Sequence, residues 1–159
     1  MPDLAVPRSK PPAVATRSFA FTDLFRASPI DRVRVIKAGV PAARAKLLIR
    51  ELDVDQKLMF GALNLKTATV NKKAVKNQPL SIEDSERVVG LATLVGQLEA
   101  MIEESGDPIC FNATEWLSIW LRQPLPSLGG TKPIDLLDTM EGQAIVSRAL
   151  AQIQSGAFA

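Results

Sequence analysis

Asp55-Gln56-Lys57-Leu58-Met59-Phe60-Gly61-Ala62-Leu63-Asn64-Leu65-Lys66-Thr67-Ala68-Thr69-Val70-Asn71-Lys72-Lys73-Ala74-Val75-Lys76 is the stretch whose reading decides the fold. Asp55 is a helix-capping residue type, and Leu58, Met59 and Leu63 after it are spaced to lie on the inward side of one helix. Asn64-Leu65-Lys66 interrupts that pattern with a turn-forming residue, and a second helix is expected from about Thr67 to Lys76. Further helices are expected on both sides of this pair.

Those helices are legible on both sides. Upstream, Ser28 caps a helix with Pro29 early in it and Gly39 just beyond it, and Pro41 opens another carrying Leu47, Leu48 and Leu52. Downstream, Asn77-Gln78-Pro79 stops the lysine-rich helix, and Ser81 with Asp84 starts the longest one. Its Val88, Leu91, Val95, Leu98 and Ile102 follow helical spacing, with Leu94 and Met101 widening the stripe. Gly90 and Gly96 inside it each cost about 1 kcal/mol relative to Ala, which predicts close approach of other segments there. Gly106 and Pro108 close this helix, and Asn112 with Glu115 opens the next, which carries Trp116, Leu117, Ile119, Trp120 and Leu121 before Pro124. No stretch alternates as a strand does. The predicted class is all-α.

A second segment departs from plain helical patterning: Leu128-Gly129-Gly130-Thr131-Lys132-Pro133-Ile134-Asp135-Leu136-Leu137-Asp138-Thr139-Met140-Glu141-Gly142. The paired glycines permit backbone angles closed to other residues, and Pro133 presets a first helical turn, so a sharp loop opening a short helix is expected. Asp138 or Thr139 can cap a last helix bearing Ile145, Val146, Ala149, Leu150 and Ile153. Gly156 ends it and leaves Ala157, Phe158 and Ala159. One ring, small residues and a terminal charge suit a narrow cationic pocket, and a frayed end is the plain alternative.

Composition narrows the function. The chain of 159 residues has no His, no Tyr and a single Cys. It lacks the commonest general base near neutral pH and the commonest metal ligand, so imidazole-dependent triads are excluded. Glu103/Glu104 and Asp135/Asp138 fit helix surfaces or caps better than acid/base dyads. No catalytic residue, metal site or cofactor is predicted. Cys110, between Ile109 and Phe111, reads as a buried inert thiol. No apolar run has the length of a membrane span or the flanks of a signal peptide, which predicts a soluble cytoplasmic protein.

The net charge of +2 conceals a division. Residues 1–80 hold 15 Lys/Arg against 6 Asp/Glu, and residues 81–159 hold 4 against 11. A basic half invites a polyanion and an acidic half must face something else. Thr69, Lys72, Lys73 and Lys76 stand at i, i+3, i+4 and i+7 and share one helix face, as phosphate contact requires; a solvated lysine surface would look the same. Asn71 could read an adenine edge, although it lies off the centre of that face. Trp116 and Trp120, four apart, fit a core better than a partner surface. The first 18 residues, with four prolines and three cations, read as a flexible arm. Phe19, Phe21, Leu24 and Phe25 then dock onto the body or onto a second subunit.

Several of these elements recur together in one family. Trp120-Leu121, Pro, Leu128-Gly129-Gly130, Pro133-Ile134-Asp135-Leu136-Leu137-Asp138-Thr139 and Gly156 resemble the toxin-binding domain of Xre/MbcA/ParS-type antitoxins. Ser28-Pro29, Ala38-Gly39-Val40-Pro41, Thr69-Val70 with Lys72-Lys73, and Leu80-Ser81 through Arg87 are similar to the same family upstream. The resemblance spans roughly Ser28 to Gly156. It departs from the family pattern in having Lys at 72 and 73, where Arg is frequent, and Asn64 where Gly is frequent.

The resemblance implies an Xre-like helix-turn-helix domain followed by a small helical toxin-binding domain, divided here into residues 1–27 (arm and docking segment), 28–104 and 105–159. It further implies an antitoxin that occludes the active site of a cognate RES-domain toxin acting on NAD, with autorepression of its operon. DNA contact is assigned to Thr69, Asn71, Lys72, Lys73 and Lys76. Toxin contact is assigned to Leu128, Gly129, Gly130, Pro133, Asp135, Thr139, Gly156, Ala157, Phe158 and Ala159. The expected partners are the toxin and operator DNA, in a homodimer or a toxin–antitoxin hetero-oligomer. The competing reading is a DNA-binding transcriptional regulator without a toxin.

Overall fold

A computed structural model of the chain describes residues 21–106 and 110–156. Eight α-helices occur among them: α1 (Phe21–Arg26), α2 (Pro29–Ala38), α3 (Ala42–Glu51), α4 (Gln56–Ala62), α5 (Thr67–Val75), α6 (Ile82–Ser105), α7 (Ala113–Trp120) and α8 (Met140–Gln154). Two 3-10 turns, Pro126–Leu128 and Pro133–Leu136, lie between α7 and α8. The described residues contain no strand, and the all-α expectation holds.

The capping residues read from the sequence act as caps. Side chains of Ser28, Asp55, Ser81, Asn112 and Thr139 accept hydrogen bonds from the backbone N–H groups of Asp31, Leu58, Asp84, Glu115 and Gly142. Each satisfies one donor that a helix start leaves without an internal partner. At α2 the Ser28 hydroxyl also donates to Asp31, and this bond, helped by Arg34, holds the Asp31 carboxyl below its ordinary range.

The 24-residue helix α6 is the axis of the molecule. α1, α2, α7 and α8 all pack on it, while α3, α4 and α5 pack on one another. One cluster of buried side chains runs from Phe21 and Leu24 through Met59, Phe60 and Leu91 to Leu117, Leu137 and Leu150. Residues on both sides of position 105 therefore share a single core. The N-terminal docking segment joins it: Phe21 and Leu24 are buried, Thr22 donates to Glu99 at 2.6 Å, and Arg26 pairs with Glu103 at 2.7 Å. Phe19 lies outside the described residues.

Gly90 and Gly96 mark close approaches, as expected. A Cβ at Gly90 would overlap the Gln143 side chain of α8, and one at Gly96 would overlap the Phe21 carbonyl of α1. A second tie fixes α3: Val40 and Leu80 bond across a short antiparallel bridge, and buried Ser85 accepts from the Val40 N–H at 2.8 Å.

Two expectations are corrected. Leu58 does not face inward; it is 47% exposed, because Met59, Phe60 and Leu63 fill the inner side of a helix only seven residues long. Cys110 is exposed, since it precedes the Asn112 cap and so lies outside the buried side of α7.

The glycines of α4 and α6 should respond oppositely to the same change. Gly61→Ala has open space and helical backbone, and should raise stability by about 0.4–1 kcal/mol. Gly96→Ala gains the same propensity yet forces the α1 backbone away, and should lower the melting temperature. Thermal unfolding followed by circular dichroism checks both signs.

Candidate functional site

Two surfaces emerge from this body. The first is α5, which follows α4 after the turn Leu63 to Lys66, in which Asn64 has φ of +53°. Asn is among the few non-glycine residues that tolerate this left-handed geometry, which accounts for a position where the resembled family frequently has Gly. The turn is closed by Leu65 N–H donating to Phe60 O at 2.7 Å, and Leu63, Leu65 and Val70 are buried beneath it. This is helix-turn-helix geometry, with α5 as the second helix.

Burying Val70 turns the opposite side of α5 outward. Thr69, Lys72 and Lys76 are exposed and Lys73 is half-buried, so the structure brings the four together as one basic face. Asn71 stands apart from them. Its Oδ1 is shielded from solvent without a hydrogen-bond partner, so the acceptor needed for a bidentate adenine contact is not presented. The residue spacing already set Asn71 off the centre of the basic face, but it did not show that its acceptor is covered.

The second surface lies between α7 and α8. Leu125 O accepts from both Leu128 N–H (3.0 Å) and Gly130 N–H (2.9 Å), and Leu125 N–H returns to Thr131 O. That closed turn is possible because Gly129 and Gly130 have φ of +63° and +83°. Both glycines are exposed, and a Cβ on either would meet no atom within 4 Å. They are therefore required by backbone angle and not by crowding. Asp135 and Thr139 are exposed and Leu128 is half-buried.

Pro133 is a correction. It is buried together with Ile134, whose N–H donates to Leu121 O at 2.9 Å, so this proline anchors the segment to α7 beneath the surface. The segment is held from the other side by Gln143, whose Nε2 donates to Leu137 O at 2.9 Å and to Arg87 O on α6 at 3.1 Å. The Pro133–Leu136 turn also packs on α4, the first helix of the helix-turn-helix. No residue pattern pointed to Gln143 in this role. Gly156 has φ of +65°, the left-handed stop expected of it, while Ala157, Phe158 and Ala159 lie outside the described residues.

Among the described residues no three His, Cys, Asp or Glu side chains converge as a metal site would require, and no helix is long and apolar enough to cross a membrane.

The helix-turn-helix and the glycine-loop segment sit on one all-helical body, and comparison with known proteins says which family such a body belongs to. Residues 31–92 match the family model of the antitoxin Xre-like helix-turn-helix domain, and residues 106–156 match that of the antitoxin Xre/MbcA/ParS C-terminal toxin-binding domain. The chain is 68% identical over 159 residues, covering 100% of this chain and 100% of that one, to a Sphingobium protein named Prs ADP-ribosylating antitoxin. It is 30% identical over 88 residues to antitoxin Xre of Pseudomonas putida, covering 55% of this chain and 50% of that one. The chain belongs to the Xre/MbcA/ParS family of antitoxins. The toxin-binding match favours this over a regulator without a toxin.

Because the paired glycines are needed for backbone angle alone, Gly129→Ala and Gly130→Ala should each cost about 1–2 kcal/mol. Denaturant unfolding of the single and double variants measures this, and an unchanged double variant would contradict the left-handed geometry.

Proposed function

We propose that this antitoxin neutralises a RES-domain toxin that acts on NAD, either consuming it or transferring ADP-ribose, by covering the entrance to its active site without chemistry of its own. The observation that carries this reading is the 68% identity, over the entire chain, to a relative whose name links an antitoxin with ADP-ribosylation of Prs. Toxin contact is assigned to Leu128, Gly129, Gly130, Asp135 and Thr139, together with the stretch from Gly156 through Ala157, Phe158 and Ala159. The excess of acidic residues after position 80 supports it, because a cleft built to receive a pyrophosphate carries positive charge.

Within this reading residues 28–104 serve an operator and residues 105–159 serve the toxin, in a cytoplasmic homodimer or a toxin–antitoxin hetero-oligomer. Thr69, Lys72, Lys73 and Lys76 of α5 face the DNA and repress the chain's own operon. Their contribution is mainly to phosphates, since Lys neutralises backbone charge and releases counterions.

The test is a titration of the purified toxin with antitoxin while NAD turnover is followed. Full-length antitoxin should suppress turnover stoichiometrically; unchanged turnover in a stable complex would overturn occlusion. Removing residues 156–159 should leave the melting temperature within a degree or two and weaken suppression at least tenfold, and equal suppression would confine occlusion to the Leu128 to Thr139 segment.

For the operator, Lys72→Ala with Lys73→Ala should weaken binding across sequences and reduce the salt slope by about 2. Fluorescence anisotropy at several salt concentrations measures it. Toxin suppression should be untouched.

A further inference from the structure

We propose that the outward side of α7, formed by Phe111, Trp116 and Ile119, is an apolar anchor on which the toxin docks, separate from the loop and chain end assigned above. α7 is two-sided: Leu117, Ser118, Trp120 and Leu121 are buried, whereas Ile119 is 48% exposed and Phe111, just ahead of the helix, is 41% exposed. Half-buried Trp116 stands one turn from Ile119, and its ring lies 6.2 Å from that of Phe111. Large apolar groups so placed are costly to leave in water, and the core does not use their outer faces.

Trp116 is also held in place. Its ring stacks at 5.9 Å on Trp120, which is 7% exposed, so a buried tryptophan fixes the plane of a partly exposed one. Such an aromatic surface loses little side-chain freedom on binding, as residues dominating interfaces do. Glu115 and Arg122 flank it as a polar rim, with Arg122 Nε donating to Ser118 O at 2.8 Å.

The occupant is the toxin because of where the stripe sits. All three residues fall within the stretch matched by the toxin-binding family model, and α7 runs at Leu121 directly into the loop that carries Gly129 and Gly130. Ile119 lies at the loop end of α7 and Phe111 at its start, so a toxin seated on that loop reaches Ile119 first and covers Phe111 by extending along the helix. The inference rests on toxin binding by this domain and not on the chemistry of the toxin.

The experiment measures the affinity of purified toxin for full-length antitoxin by biolayer interferometry, alongside antitoxin self-association by light scattering. Ile119→Lys and Phe111→Ser, both at exposed positions, should keep the parental melting temperature and weaken toxin binding at least tenfold each. Ile30→Lys, on the 58% exposed apolar side chain of α2, should leave it within twofold. Trp116→Ala should weaken binding further, and Trp116→Phe should restore part of it. Toxin affinity within twofold of parent for both Ile119→Lys and Phe111→Ser overturns the proposal. So does a loss of self-association at constant toxin affinity, which would assign the stripe to a second copy of this chain. Tight anchoring by an antitoxin that fails to suppress NAD turnover would instead defeat the occlusion reading and leave this one standing.

Discussion

The contact that the rest of the molecule depends on is the approach of α8 to α6 at Gly90. Because that position has no Cβ, the Gln143 side chain reaches across and donates to Arg87 O on α6 and to Leu137 O at the end of the glycine-loop segment. One amide thus joins three pieces of chain. A reciprocal pair further along, Ser147 Oγ to Gln97 Oε1 at 2.7 Å and Gln97 Nε2 to Ser147 O at 3.0 Å, holds the same seam. Gln143 Oε1 is buried without a partner, but the two Nε2 bonds and the Gln97–Ser147 pair are lost if α8 slides, so the seam specifies one register of α8 on α6 more sharply than apolar packing would.

That seam fixes how the glycine-loop segment sits relative to the helix-turn-helix. The Pro133–Leu136 turn hangs from Leu121 and Gln143 and rests on α4, while Arg87 of α6 reaches Asn64 O in the turn before α5. The helix-turn-helix and the glycine-loop segment therefore belong to one packed body with a continuous core, not to two beads on a tether. Each head inherits rigidity from the other's packing, and this is what placing side chains against a partner within a fraction of an ångström demands.

Charge distribution follows the same division. The lysines exposed on α5 lie opposite the buried side of the helix-turn-helix, and Asp135 and Glu141 stand exposed around the last helix start. A polyanion is attracted by the lysines of α5 and repelled by the carboxylates around the last helix start.

Sequence alone determined what local physics controls. Every cap read from Ser28, Asp55, Ser81, Asn112 and Thr139 holds in three dimensions, because a cap needs only a side-chain oxygen and an N–H three residues on. The paired glycines and Gly156 were legible for the same reason, since a left-handed backbone angle is a property of one residue. Tertiary structure decided whatever depends on the far side of a helix. It turned Leu58, Phe111 and Ile119 outward, exposed Cys110, buried Pro133 and shielded the Asn71 acceptor, and it supplied Gln143 as the partner that Gly90 makes room for. Periodicity shows which residues share a face, but burial depends on which neighbour covers that face, and Gln97 and Gln143 find theirs 50 and 56 positions away in the chain.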